Sequence, residues 1–202
     1  MAPGMNGMVG LLLAAGRSRR FGSDKLLQAL PDGRRVFEAS REPLAAATDH
    51  TLTLIRPGPS ALRQFLEQRG MAFLEVPEAD AGMGATLAAG IRATPKARGW
   101  IVALADMPAL GSQTVIQVRQ ALERGASIAA PWHAGRRGHP VGFSSRWYDA
   151  LAVLDGDQGA RGLLQAHPEA ITRVEVNDGG CLLDIDTPEA LAAIWPTLPP
   201  TD

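Results

Sequence analysis

Arg17, Arg19, Arg20 and Lys25 crowd into nine residues with only Asp24 to offset them, a local charge of +3 in a chain of net charge −1. Such a concentration suits a polyphosphate. Arginine can grip phosphate oxygens bidentately, and lysine acts as a point charge. The cations directly follow Leu13-Ala14-Ala15-Gly16. Small residues let a backbone approach a ligand closely, and their amide N–H groups can point at anionic oxygens. The turn is neither of two familiar phosphate loops. No Gly-Lys-Ser/Thr follows it, and the dinucleotide pattern Gly-x-Gly-x-x-Gly is missing. Taken alone, a solvated turn after a buried strand is an equal alternative.

Carboxylates stand at two other places. Asp106 follows the apolar run Trp100–Leu104, with Pro108 stiffening the exit. A lone aspartate there is most often a turn former. Asp184 and Asp186 flank Ile185, and strand periodicity puts both on one face. Like charges on one face are costly unless a cation neutralises them. Magnesium suits one or two carboxylates, with phosphates and water completing its octahedron.

Two glycine-rich segments come next. Ala81-Gly82-Met83-Gly84-Ala85-Thr86 joins a predicted strand to a helix beginning at Ala85 or Thr86. A helix N-terminus favours anionic groups. Gly135-Arg136-Arg137-Gly138-His139-Pro140 places two arginines and a histidine on a loop, for which a solvated basic hairpin is the plainer reading. Cys181 is expected to be structural, because no histidine partner is identifiable, and Trp100, Trp132 and Trp147 are expected to pack.

These residues need a scaffold. Val9–Leu13, Thr51–Ile55, Met71–Val76, Trp100–Leu104, Ser127–Pro131 and Ile171–Val176 are short apolar runs, predicted as strands covered on both faces. Amphipathic segments alternate with them: Val36–Ala47, Ser60–Arg69, Ala85–Ala93, Ser112–Glu123, Trp147–Leu154, Ala160–Ala166 and Pro188–Ile194, the last with Thr187 as N-cap. This alternation predicts a mainly parallel sheet with helices on both sides. Ligands of such folds bind at the carboxyl ends of the strands, where the cations and carboxylates lie. The 202 residues, 46% hydrophobic and 20% charged, fit one domain with a core over about 8–195 and a Pro-rich tail from Pro196 to Asp202.

The spacing Leu-x-x-Gly-x-Ser-x-Arg-x-Gly-x-x-Lys from Leu13 to Lys25 resembles the signature loop of the MobA-like nucleotidyltransferases. The string Leu13–Arg20, together with Gly135–Pro140 and Gly156-Asp157-Gln158-Gly159-Ala160-Arg161, looks more narrowly like the molybdenum cofactor cytidylyltransferases. The resemblance runs from about Val9 to Ile194 and implies a three-layer α/β/α Rossmann-like fold, its sheet mostly parallel with one antiparallel strand. It implies that Leu13, Ala14, Ala15, Gly16, Ser18, Gly82 and Thr86 bind the nucleotide, with Lys25, Arg20 and Arg17 stabilising charge in catalysis. Asp106 and Asp186 would hold Mg2+, with Asp184 as the alternative second ligand. The 135–143 and 156–161 segments, with Arg136, Arg137 and His139, would face the acceptor. The implied reaction joins CTP to a molybdopterin-type acceptor and releases pyrophosphate, with a molybdenum hydroxylase as client. Ala105 and Met107 depart from the glycine and glutamine expected around Asp106, and Gly142 from a larger apolar residue. Related guanylyltransferases often carry glycine where Ala15 stands, so its methyl group is expected to narrow the pocket against a purine. Guanylyl transfer, another small phosphorylated acceptor, and a non-enzymatic carrier of the finished cofactor stay open as alternatives. No nucleic-acid partner is expected at net charge −1, and no membrane span from so short an apolar run as Met8–Ala15. The expected location is the cytoplasm.

Overall fold

The computed structural model describes residues 5–16 and 25–194. Arg17, Ser18 and Arg20, three of the expected site residues, lie outside them, as does the expected tail. Eight strands form one sheet: β1 (Gly7–Leu13), β2 (His50–Ile55), β3 (Phe73–Glu75), β4 (Ala97–Leu104), β5 (Ile128–His133), β6 (Arg136–Arg137), β7 (Val141–Ser144) and β8 (Ile171–Glu175). The order runs β3-β2-β1-β4-β7-β5-β6, with β8 on β5. β1 pairs in parallel with β2 and β4, β2 with β3, and β5 with β8. β7 is the expected antiparallel strand, set between β4 and β5. The two-residue β6 is also antiparallel, on the end of β5.

Alternation along the central strands makes two cores. Leu12, Ile101 and Ala103 face one side with Val36, Phe37 and Leu44 of α1 (Val36–Ala46), Leu62 and Leu66 of α2 (Ala61–Gln68), and Val115, Val118 and Leu122 of α4 (Ser112–Glu123). Val9, Leu11, Trp100 and Val102 face the other, with Leu87 and Ile91 of α3 (Met83–Ala93), Leu151 of α5 (Tyr148–Ala152) and Leu164 of α6 (Arg161–Ala166). Two cores separated by one sheet give the three layers that continuous apolar strands require. α7 (Pro188–Ile194) closes the described chain, and the Thr187 hydroxyl accepts from Ala190 N–H at 3.2 Å, as an N-cap should. Trp100 is fully buried, and its indole donates to Thr94 Oγ1 at 2.9 Å. No helix among the described residues is long and apolar enough to cross a membrane.

The differences from the expected elements have physical causes. The third strand shrinks from Met71–Val76 to Phe73–Glu75, the residues in register with β2, with Ala72 and Val76 bonded to Thr53 and Ile55 at its two ends. The 135–143 segment is not simply a loop, since it contains β6 and β7. Gly142 and Pro140 interrupt the apolar signal there. α3 starts at Met83, two residues before Ala85, because Gly82 (φ 119°) supplies the turn in front of it. Asp184–Asp186 is not a strand, yet its alternation survives. Ile185 is fully buried between two exposed aspartates, and its N–H donates to the Asp106 carbonyl at 2.9 Å.

Gly142 has a packing reason. A Cβ there would stand 2.8 Å from Leu122 Cδ1 and 2.9 Å from Val118 Cγ1 of α4. Gly142→Leu is therefore expected to destabilise the fold by about 1–3 kcal/mol through overpacking. Denaturant unfolding measures it, and a midpoint equal to that of the unaltered chain would show that α4 yields without cost.

Candidate active site

Lys25 opens a single 3-10 turn, Lys25–Leu27, packed beneath α1 and α2. Its residue is only 9% exposed. The ammonium lies 2.6 Å from Asp106 Oδ2 at the end of β4 and donates to the Ile185 carbonyl at 2.7 Å. Asp186 Oδ1 is 3.5 Å from the same nitrogen. Residues far apart in sequence thus meet at one atom, as the strand-end rule expected. Burial pushes the Asp106 carboxyl up from its ordinary range. Lys25 opposes that shift, and the negative charge of Asp184 adds to it.

Lys25, Asp106 and Asp186 line a cleft of about 670 Å³ at the carboxyl ends of β1, β2 and β4. Leu13, Ala14, Ala15 and Gly16 line it along one wall, and Gly82 and Thr86 along the α3 wall. Asp106, Asp184 and Asp186 line it with Lys25, so every described residue expected to touch nucleotide or metal shares one cavity. Thr86 is 3% exposed, and its hydroxyl donates to the Gly82 carbonyl at 3.0 Å. That bond tightens the first turn of α3.

Arg136, Arg137 and His139 are placed differently, because none of them lines the cleft. The two arginines are exposed on β6. His139 is mostly buried. Burial and the nearby Arg137 hold its imidazole below the usual value, while Asp184 pulls the other way. The charge of Asp184 therefore links this hairpin to the cleft's edge. The Gly156–Arg161 segment sits against the α3 turn. Gly84 N–H donates to the Gly156 carbonyl at 2.7 Å, and Asp157 lines the cleft.

Arg56 was not anticipated. It follows β2 and lines the cleft, with Nε donating to the Ala15 carbonyl at 2.8 Å and a terminal nitrogen donating to Asp80. The guanidinium fastens the Leu13–Gly16 wall to the turn before α3. Its signal was available, since it too lies just past a strand end, but one arginine beside Pro57 and Gly58 does not stand out by charge.

A mostly parallel sheet, glycine-poor at the dinucleotide positions and lined at its strand ends by a small-residue turn, a buried lysine and three aspartates, defines the nucleotidyltransferase type of α/β protein. Residues 10–171 match the MobA-like NTP transferase domain, and the chain belongs to that family. It is 33% identical to the purine catabolism protein PucB of Bacillus subtilis over 194 residues, covering 90% of this chain and 93% of that one. Nicotine blue oxidoreductase of Paenarthrobacter nicotinovorans is 27% identical, with 91% and 94% covered. The fold is shared with Rv0371c of Mycobacterium tuberculosis, solved in complex with manganese, at a TM-score of 0.77 and 25% identity over 94% of this chain and 97% of that one.

Cys181 is fully buried among the residues that carry the aspartate pair, and burial pushes its thiol up to about 11. The raised value means the folded chain holds the thiol proton more tightly than the unfolded chain. Its stabilising contribution is present below the unfolded thiol pKa and is lost as pH rises toward about 11. Cys181 should react with a thiol-specific reagent at pH 8 at least about tenfold more slowly in the native protein than in guanidinium. Equal rates in the two states would show the thiol to be accessible.

Proposed function

We propose that this protein transfers a nucleoside monophosphate from an NTP, with CTP preferred, to a molybdopterin-type acceptor and releases pyrophosphate. The observation that carries the reading is the convergence of Lys25, Asp106 and Asp186 on one point of a cleft also lined by the Leu13–Gly16 turn and the α3 N-terminus. The family match supports NTP chemistry. The choice of CTP and of the acceptor rests on the Leu13–Arg20, Gly135–Pro140 and Gly156–Arg161 strings. Arg136 and Arg137 are exposed on a hairpin tied to the Cys181 carbonyl through the His139 N–H, and they suit an anionic acceptor that enters from that side.

The chemistry asks little of a base. A phosphate oxygen of the acceptor attacks the α-phosphorus of the NTP. The bond from that phosphorus to the bridging oxygen breaks, pyrophosphate leaves with the electron pair, and a phosphoanhydride forms. The nucleophile is already anionic near neutral pH, so positioning and charge neutralisation supply the rate. Lys25 places one positive charge at the phosphate end of the cleft, and Arg17 and Arg20 precede it in sequence.

The donor set fits a divalent ion. Asp106, Asp184 and Asp186 all line the cleft, and the charge of Asp184 already raises the Asp106 carboxyl. Among the described residues, no group of three or more His, Cys, Asp or Glu side chains is placed to hold a metal ion. Magnesium commonly takes only one or two carboxylates and leaves its other positions to phosphate and water. We assign Asp106 and Asp186 to Mg2+, with Asp184 beside them. Bound there, the ion would neutralise phosphate charge and orient in-line attack. Rv0371c, similar in fold, has been solved with manganese.

A relative named as an oxidoreductase raises a hydride-transfer reading. The missing dinucleotide glycine pattern weighs against it. The test is incubation with Mg2+, molybdopterin and each NTP in turn, with pyrophosphate and nucleotide product measured. Magnesium-dependent pyrophosphate release, fastest with CTP, is expected. No release with any NTP, while the finished cofactor still binds, would make the chain a carrier instead. Lys25→Ala and Asp106→Ala, each confirmed folded, should lose at least about 2–3 kcal/mol of transition-state stabilisation. Near-normal turnover would remove that residue from the chemistry. Ala15→Gly should raise GTP use relative to CTP; an unchanged ratio rejects the methyl group as a selector.

A further inference from the structure

One carboxylate in the cleft has no part in the transfer just described. Asp157 lines the cavity and is exposed, and no described residue hydrogen-bonds or ion-pairs with it. Its position is nonetheless built. Gly84 N–H donates to the Gly156 carbonyl at 2.7 Å, and Gly156 N–H donates to Asp155 Oδ1 at 2.8 Å. A Cβ on Gly82 would stand 2.5 Å from Asp157 Oδ1, and a Cβ on Gly84 would stand 2.4 Å from the Asp155 carbonyl. Two glycines in the turn before α3 are therefore what allow the 155–157 loop to close onto the cleft wall. Gly159 (φ 54°) takes the loop onward against the Met83 side chain.

Charge narrows what Asp157 can meet. A bare carboxylate repels phosphate, so the polyphosphate cannot run past it. On the proposed reading Lys25 marks the phosphate end of the cleft, and its ammonium is engaged by Asp106, Asp186 and the Ile185 carbonyl, not by Asp157. Asp80, another cleft carboxylate, is ion-paired to Arg56. Asp157 has no such counter-charge among the described residues. Its complement is a neutral hydrogen-bond donor, and the nucleoside half of an NTP offers two kinds: an exocyclic amine, which Asp can accept from, and the ribose hydroxyls, which an acidic residue often holds in nucleotide sites.

We propose that Asp157 accepts a hydrogen bond from an N–H or O–H donor on the nucleoside half of the NTP, which makes the 155–159 loop part of the nucleotide-selecting wall. The proposal rests on the nucleotide-binding reading above. It moves Asp157 from the acceptor side, where the sequence pattern had put it, to the nucleoside side.

Calorimetric titration with Mg2+ present tests it in the full chain. The tightest-binding of CTP, UTP, GTP and ATP is chosen first. Analogues of that nucleotide lacking the exocyclic amine, the 2′-hydroxyl or the 3′-hydroxyl are then titrated into the unaltered protein and into Asp157→Ala. One deletion should weaken binding to the unaltered protein by roughly tenfold, as expected for a hydrogen bond to a charged group, and weaken Asp157→Ala by less than about twofold. The analogue that shows this identifies the donor as base or sugar. Asp157→Asn, which keeps an acceptor oxygen without the charge, should fall between. If every deletion weakens both proteins by the same factor, Asp157 does not read the nucleoside. If the unaltered protein binds none of the four nucleotides, the nucleotide reading itself fails, and this inference with it.

Discussion

The ammonium of Lys25 is the constraint on which the site's assembly depends. A lysine has three N–H donors, and this one faces Asp106, the Ile185 carbonyl and Asp186 at 2.6, 2.7 and 3.5 Å. Asp106 sits in surroundings that raise its pKa, so without its cation it would be a costly buried charge. The pairing therefore works in both directions. It counters the burial that raises the Asp106 carboxyl at the end of β4, and it fastens the segment after Lys25 to the sheet. The Ile185 N–H to Asp106 carbonyl bond, 2.9 Å, adds a backbone tie to the same junction. β1 and β4 must be neighbours for this junction to face the Leu13–Gly16 turn, and they are.

A second set of contacts keeps the C-terminal segment from swinging away. Asp178 accepts from Gly111 N–H at 3.0 Å, Thr114 Oγ1 at 2.6 Å and Gly180 N–H at 2.9 Å, which binds the segment to the start of α4. A Cβ on Gly180 would stand 1.9 Å from the Ala109 carbonyl, and one on Gly138 would stand 2.4 Å from the Cys181 carbonyl. Backbone thus meets backbone on both sides of Cys181. His139 N–H donates to the Cys181 carbonyl at 2.9 Å. The hairpin bearing Arg136 and Arg137 is in this way attached to the same segment that presents Asp184 and Asp186. Cysteine at position 181 serves packing, in agreement with its raised thiol pKa.

The fold was readable where chemistry and burial coincide. Val9–Leu13 and Trp100–Leu104 are apolar on both faces because helices cover both faces, and the sequence pattern reports that directly. Leu13–Gly16 and Asp106 were readable because each follows a strand, where side chains converge, and Lys25 and Asp186 because like charges crowd around them in sequence. β7 was not, because Gly142 is small to admit Leu122 and Val118, and a glycine chosen for its neighbour's bulk carries no strand signal. Arg56 was passed over for the opposite reason. Its importance comes from one carbonyl, Ala15, which folding brings to it from 41 residues away. The close approach of Gly82 and Gly84 to residues 155–157 is a tertiary fact that no pattern around Asp157 reports.

The cleft's charge balance gives the cationic run its purpose. Among described lining residues, Lys25 and Arg56 face Asp80, Asp106, Asp157, Asp184 and Asp186. Left at that balance, the cavity would repel a triphosphate. Arg56 is already committed to Asp80 and Ala15, and Lys25 to Asp106 and Ile185. Gly16 and Lys25 both line the cleft, and the sequence between them carries Arg17, Arg19 and Arg20 against Asp24. On the proposed reading, these arginines and a divalent ion on the aspartates together reverse the sign of the phosphate end. The acids then discriminate instead of repelling: they tolerate a polyanion only where a metal accompanies it, and elsewhere they favour neutral donors. A chain of net charge −1 can in this way handle a tetra-anionic substrate without becoming a general anion binder.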